Sequence, residues 1–191
     1  MKVRAVVLWL ALSPCVSFSQ VASLTLGFDV NSPYGLSEPW FTVRNALLRS
    51  GDLQDVAERP DVKTATADAI TKGGLLPDFD KLRKTVAESG AGASLRGVEA
   101  TVEGELILQR GKLLLRFSGK EILLQHLTEL VQQENKKPKP ATAEELSAYE
   151  RLQGKATKAK RWRVSGPLRW KSGLALEVRI FEKAKPNNSR G

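Results

Sequence analysis

Lys158, Lys160, Arg161, Arg163, Arg169 and Lys171 crowd into one short stretch near the C-terminal end of the chain. At the period of a β-strand, Arg161, Arg163, Arg169 and Lys171 share one face, and Trp162, Val164, Leu168 and Trp170 share the other. A row of cations on an exposed strand face attracts an anion, a nucleic-acid backbone or an acidic polysaccharide. The ordinary alternative is a solvated outer face that keeps the protein soluble. Single-strand nucleic-acid sites also need exposed aromatic rings for stacking. Here both tryptophans fall on the apolar face, so nucleic acid is a poor fit, and a protein or another polyanion is the expected partner.

The remaining chemistry is sparse. His126 is the chain's one histidine and has no Cys or carboxylate at ligand spacing, so it reads as a surface residue. Glu103 and Glu105 share a strand face and have the types of an acid/base pair. Cross-strand pairing with Lys112 or Arg116 is the simpler reading. Asp78 and Asp80 read as a helix cap and a first-turn charge. There is no Gly-x-Ser-x-Gly elbow and no phosphate-cradling Gly-x-x-x-x-Gly-Lys loop. Nothing marks an enzyme, a cofactor site or a metal site.

These residues must be positioned by an alternation of strands and helices. Leu24, Leu26, Phe28 and Val30 keep the strand period. After the turn-rich Asn31–Gly35, Ser37 can cap a helix beginning at Glu38-Pro39, with Trp40, Val43 and Leu47 on one face and Gly51 at its end. Val56 to Ile70 reads as a strand pair around Arg59-Pro60-Asp61. Asp78 caps a second helix that carries Phe79, Leu82 and Val86 and ends at Gly90.

The second half is mainly strands. Ala100, Val102, Gly104, Leu106 and Leu108 line one face of the first, and Leu113, Leu115 and Phe117 its hairpin partner. Lys120 to Glu134 fits either a helix through Leu123, Leu127, Leu130 and Val131 or a short strand through Ile122 and Leu124 followed by a helix. Lys136-Lys137-Pro138-Lys139-Pro140 reads as a stiff linker, because proline forbids helix and the charges repel. Thr142-Ala143-Glu144-Glu145 is a capping box, ahead of an apolar face of Leu146, Tyr149 and Leu152. Two strands follow, through Trp162–Trp170 and Leu174–Ile180.

The N-terminal stretch reads as an export signal. Lys2 and Arg4 precede the apolar run Ala5–Leu12, and Ser17-Phe18-Ser19 places small residues ahead of Gln20. The run is too short to span a bilayer as a helix. Cleavage near Ser19 would remove Cys15, the only cysteine, and leave a thiol-free chain suited to an oxidising compartment; Cys15 also leaves open a lipid anchor. It would also reduce the formal charge from +9 to 9 − 2 = +7. That charge is unevenly spread. Residues 20–95 hold 8 basic and 10 acidic groups, and residues 96–191 hold 20 and 11. The change in sign places a boundary near Ser94–Gly97. The expected division is a signal at 1–19, domains at 20–95 and 96–185, and a polar tail at 186–191.

Strand–helix–strand–strand–helix–strand is the ferredoxin-like plan. The strand Leu24–Val30, the run Val43-Arg44-Asn45-Ala46-Leu47-Leu48 with Leu53-Gln54-Asp55-Val56, the stretch Val62–Ala67 and the helix Phe79–Val86 together resemble a degenerate heavy-metal-associated domain. That family binds soft metals through two cysteines between its first strand and first helix. The matching places here hold Leu36 and Pro39, so the resemblance implies a fold and no metal transfer. The second half resembles an OB-fold, a five-stranded barrel with a helix between its third and fourth strands. The combined order is similar to that of exported bacterial proteins that join such modules. The expected fold class is therefore α+β: a ferredoxin-like βαββαβ domain, then a small OB-like β-barrel with an inserted helix. The expected function is a non-catalytic exported binding or scaffold protein whose basic C-terminal domain contacts a protein or polyanion. Metal handling of the heavy-metal-associated kind, or an enzyme with scattered residues, is the alternative.

Overall fold

A computed structural model of the chain describes residues 20–128, 133–134, 137–156, 160–171 and 173–184. The expected signal, Cys15, the tail, Leu130, Val131 and Lys158 lie outside the described residues. The elements in chain order are β1 (Val21–Val30), α1 (Trp40–Arg49), β2 (Leu53–Val56), β3 (Thr66–Thr71), α2 (Phe79–Ala87), β4 (Ala93–Gln109), β5 (Lys112–Phe117) and β6 (Lys120–His126). They continue with β7 (Gln133–Glu134), β8 (Lys137–Pro138), α3 (Ala143–Leu146), α4 (Ala148–Gln153), β9 (Arg161–Arg169), β10 (Ala175–Val178) and β11 (Ile180–Lys183).

The expected fold class is corrected by this arrangement. Among the described residues 45% lie in strands and the four helices are short, and the architecture is that of a small barrel on a continuous sheet, not a ferredoxin-like domain followed by a separate barrel. One nine-stranded sheet runs β11-β9-β10-β6-β5-β4-β1-β3-β2, and a further β9–β4 pairing closes β4, β5, β6, β10 and β9 into a barrel. The physical reason lies in β4. Its 17 residues pair with β1 on both sides of Ser94–Gly97, where the charge changes sign, with only a one-residue register shift between Leu95 and Gly97. One edge of β4 pairs β1 from Ala93 to Val102 and then β5 from Glu105 to Gln109; the other pairs β9 from Glu99 to Glu105. A change in surface charge does not interrupt a hydrogen-bond ladder, so the sheet crosses it.

Close backbone approach makes two glycines necessary at this junction. A Cβ on Gly104 would collide with the Arg116 carbonyl, and one on Gly166 with the Glu177 carbonyl. Both neighbours are backbone atoms in paired strands and cannot swing away.

Burial follows the alternation along each strand. Leu106, Leu113, Leu115, Phe117, Ile122, Leu124, Val164 and Leu176 fill the barrel. Leu24, Leu26, Phe28, Trp40, Val43, Leu47, Leu82 and Val86 fill the space between the first strands and α1 and α2. The two sets belong to one continuous apolar cluster. Phe79 at the start of α2 lies 5.1 Å, centroid to centroid, from Trp170 at the end of β9, which adds a ring contact across the junction.

Several local expectations change. Ser37 does not cap α1: residues Gly35–Ser37 form a 3-10 turn, Ser37 Oγ donates to the Tyr34 carbonyl, and Pro39 precedes the helix. Asp78 does cap α2, accepting from the amides of Asp80 and Lys81 at 3.0 Å each. Residues 120–126 are a strand, because Ile122 and Leu124 find barrel partners in β5 and β10. Lys137-Pro138, read as linker, pairs with Gln133-Glu134 in a two-residue hairpin. The capping box forms at Thr142 and Glu145. The helix then breaks at Ser147, so Ala148 and Leu152 are buried while Leu146 is half exposed.

Candidate functional site

The arginines of β9 do point outward from the barrel, but each meets carboxylates there. Arg163 lies between two neighbours. Its Nε donates to Glu103 Oε1 at 2.9 Å, and its Nη1 donates to Glu182 Oε1 at 3.0 Å. Strand register causes this, since Arg163 sits opposite Glu103 of β4 on one side and Glu182 of β11 on the other. The hydrogen bond to Glu103, helped by both negative charges, holds the Arg163 guanidinium above its ordinary pKa despite partial burial. Arg161 also reaches Glu103, at 3.8 Å.

Arg169 enters a second network. Its Nε donates to Glu177 Oε1 at 2.7 Å, and its Nη2 donates to Thr128 Oγ1 at 3.0 Å. The Thr128 amide and hydroxyl both donate to Glu177, at 2.9 and 2.6 Å. Glu177 is only 3% exposed. Burial alone would raise its pKa, but the hydrogen bonds from Arg169 and Thr128 outweigh this and hold it below the usual carboxylate range. A third network joins Arg179 to Glu99 at 2.9 Å and to Glu145 of α3 at 3.9 Å.

The predicted cation row is therefore not brought together as an open anion site. Lys160 and Lys171 are exposed at opposite ends of β9. Glu103 takes its partners from β9 and not from β5. Glu105 stands in register between Arg116 and Arg161, while the Arg116 guanidinium turns to Glu121 at 2.7 Å. Sequence spacing missed these partners because β9 lies about sixty residues from β4 along the chain and meets it only through barrel closure.

His126 also has company that its local sequence did not indicate. Its Nδ1 lies 3.3 Å from Glu150 Oε1, and its ring rests 4.1 Å from that of Tyr149. Both partners come from α4. Leu36 is buried and Pro39 precedes α1, so neither supplies a ligand. Among the described residues no three His, Cys, Asp or Glu groups converge on a common point. No helix among them is long and apolar enough to cross a membrane.

A different surface emerges on the outside of the barrel. Ile107, Leu114 and Leu123 are cross-strand neighbours on β4, β5 and β6. Their sequence neighbours Leu106, Leu113, Leu115, Ile122 and Leu124 point inward and are buried, so these three point outward. They are partly exposed and lie outside the apolar core cluster. On one side the next cross-strand row is Glu105, Arg116 and Glu121; on the other it is Gln109, Lys112 and Gln125. Ala175 of β10 continues the apolar row and is covered.

No protein-family model, curated protein or solved structure significantly matches this chain.

Proposed function

We propose that the chain is an exported, non-catalytic binding protein whose barrel docks a protein partner. The order β4-β5-β6-β10-β9, with β6 parallel to β10 and helices between the third and fourth strands, supports reading the barrel as OB-like. The observation that carries the function is the outward row Ile107, Leu114 and Leu123 between two polar rows. An apolar strip with a polar rim is the anatomy of a protein-docking face. A polyanion site would need cations free to leave their partners, and Arg161, Arg163 and Arg169 are held by Glu103, Glu182 and Glu177. Pairing of these arginines with carboxylates across the barrel strands supports a scaffold more than a reacting centre.

The test is photocrosslinking in intact producing cells, with a photoreactive phenylalanine analogue in place of Leu114 and, as control, of Glu88 on α2. Adducts of defined mass from position 114 and none from position 88 are expected. Equal labelling at both positions overturns the reading. Arg161→Ser, Arg163→Ser and Arg169→Ser together should change heparin retention little, and a steep loss of retention would favour a polyanion instead.

A further inference from the structure

The nine-stranded sheet has two edges, and the protein treats them differently. At one end stands β2. The bond from the Ala57 amide to the Asp68 carbonyl sets the alternation of its ladder with β3, so the amide and carbonyl of Val56 face away from the sheet. Side chains cover both groups. Arg44 Nε donates to the Val56 carbonyl at 3.0 Å, and Asp55 Oδ1 accepts from the Val56 amide at 2.8 Å. Covering an edge in this way prevents another strand from adding to it.

At the other end stands β11, which continues the line of β10 after Arg179. The Ala184 amide donates to the Arg161 carbonyl, so Ile180, Glu182 and Ala184 turn their backbone groups toward β9. Those of Phe181 and Lys183 then face the opposite way. On that side β10 is paired by β6, but β6 ends at His126, opposite Val178. Among the described residues no strand takes its place beside β11. That position is bordered by α4, which packs against β6, β10 and β11. The Arg151 guanidinium lies 5.5 Å above the Phe181 ring, and His126 with Glu150 and Tyr149 closes the end nearest β6.

We propose that this edge binds an extended acidic peptide segment of a partner protein as an added β-strand. Main-chain bonds to Phe181 and Lys183 would supply the attachment. Charge selects the occupant. Glu182 is bonded to Arg163 and Glu144 to Arg151, so these two nearby carboxylates are already matched, and the Glu150 carboxylate lies against His126 Nδ1. Lys183 on β11 and Lys160, next to the residue that receives the Ala184 amide, are exposed and have no carboxylate partner among the described residues. An acidic strand meets these cations, whereas a basic one meets like charge. This surface is distinct from the outer row through Leu114, so either can fail without the other.

The probes are two blocked heptapeptides, one alternating Val with Glu and the other alternating Val with Lys, added to the full chain without its signal. Amide chemical shifts and hydrogen exchange at Phe181 and Lys183 are the readout. The acidic peptide should move both signals and slow both exchange rates by about tenfold or more, as expected for newly bonded amides. The basic peptide should bind at least about tenfold more weakly, a difference of about 1.4 kcal/mol. Lys183→Pro removes an outward amide and no bond to β9, so it should keep the fold and abolish the response. Arg151→Glu should reduce the preference for the acidic peptide. The proposal is overturned if neither peptide affects these amides, if Lys183→Pro binds like the parent, or if the amides respond to chain concentration alone, which would make a second copy the occupant.

Discussion

Glu177 illustrates how a single residue comes to matter through partners distant in sequence. It is buried, yet it accepts hydrogen bonds from Arg169 and from both donors of Thr128. A carboxylate whose folded-state pKa is depressed contributes stability above its unfolded pKa, and that contribution disappears as pH falls through the folded value. Glu177→Gln should therefore cost about 2 kcal/mol near neutral pH, a figure below that of a fully buried pair because Arg169 remains partly open to water. The gap between variant and parent should narrow as pH drops below the usual carboxylate range. Urea denaturation at a series of pH values measures this; a gap that stays constant in acid would show that the charge of Glu177 is not what stabilises the fold. The Asp61 carboxyl is shifted in the same direction. Burial alone would raise its pKa, but the Thr64 hydroxyl and the amides of Thr64 and Lys63 lower it.

Among the elements, the α3–α4 pair depends most on its ends. α3 has only four residues, too few to stand without a cap. Thr142 Oγ1 accepts the Glu145 amide at 3.2 Å, and Glu145 Oε2 accepts the Thr142 amide at 2.8 Å. Glu145 also faces Arg179, so the cap ties the helix to the barrel. Thr142→Ala should destabilise the protein by about 1 kcal/mol. Faster amide exchange in residues 143–146 with little change in β5 would confirm that the loss is local. The helix signals at Asp78 and Thr142 were legible in sequence because a cap acts over three residues. Ser37 misled because the turn at Gly35–Ser37 reassigns its hydroxyl to Tyr34. The strand at 120–126 was ambiguous because its apolar pattern is short and its neighbours, β5 and β10, are what select extended backbone.

For the whole molecule, the shared strand β4 and the Phe79–Trp170 contact join the halves into one cluster of buried side chains. Unfolding should therefore be a single transition. Tryptophan fluorescence, which reports Trp40 in the first half and Trp162 in the barrel, should give the same midpoint as far-ultraviolet circular dichroism. Two separated transitions, or a calorimetric enthalpy exceeding the van't Hoff value, would show that the halves unfold independently.

The amino-acid sequence by itself determined the alternation of elements, most of the inward-facing residues, the caps at Asp78 and Thr142, and the outward direction of the β9 arginines. These depend on neighbours within a few positions, and periodicity records them. Only the tertiary structure decided the fold class, because β4 joins three partner strands and nothing local encodes which strands those are. It also decided that Arg161, Arg163 and Arg169 are matched by Glu103, Glu182 and Glu177, that His126 meets Glu150, and that among the described residues no strand pairs the outer edge of β11 while that of β2 is covered. Each of these requires strands far apart in the chain to be brought into register. Register follows from closing the barrel, and no run of adjacent residues contains that information.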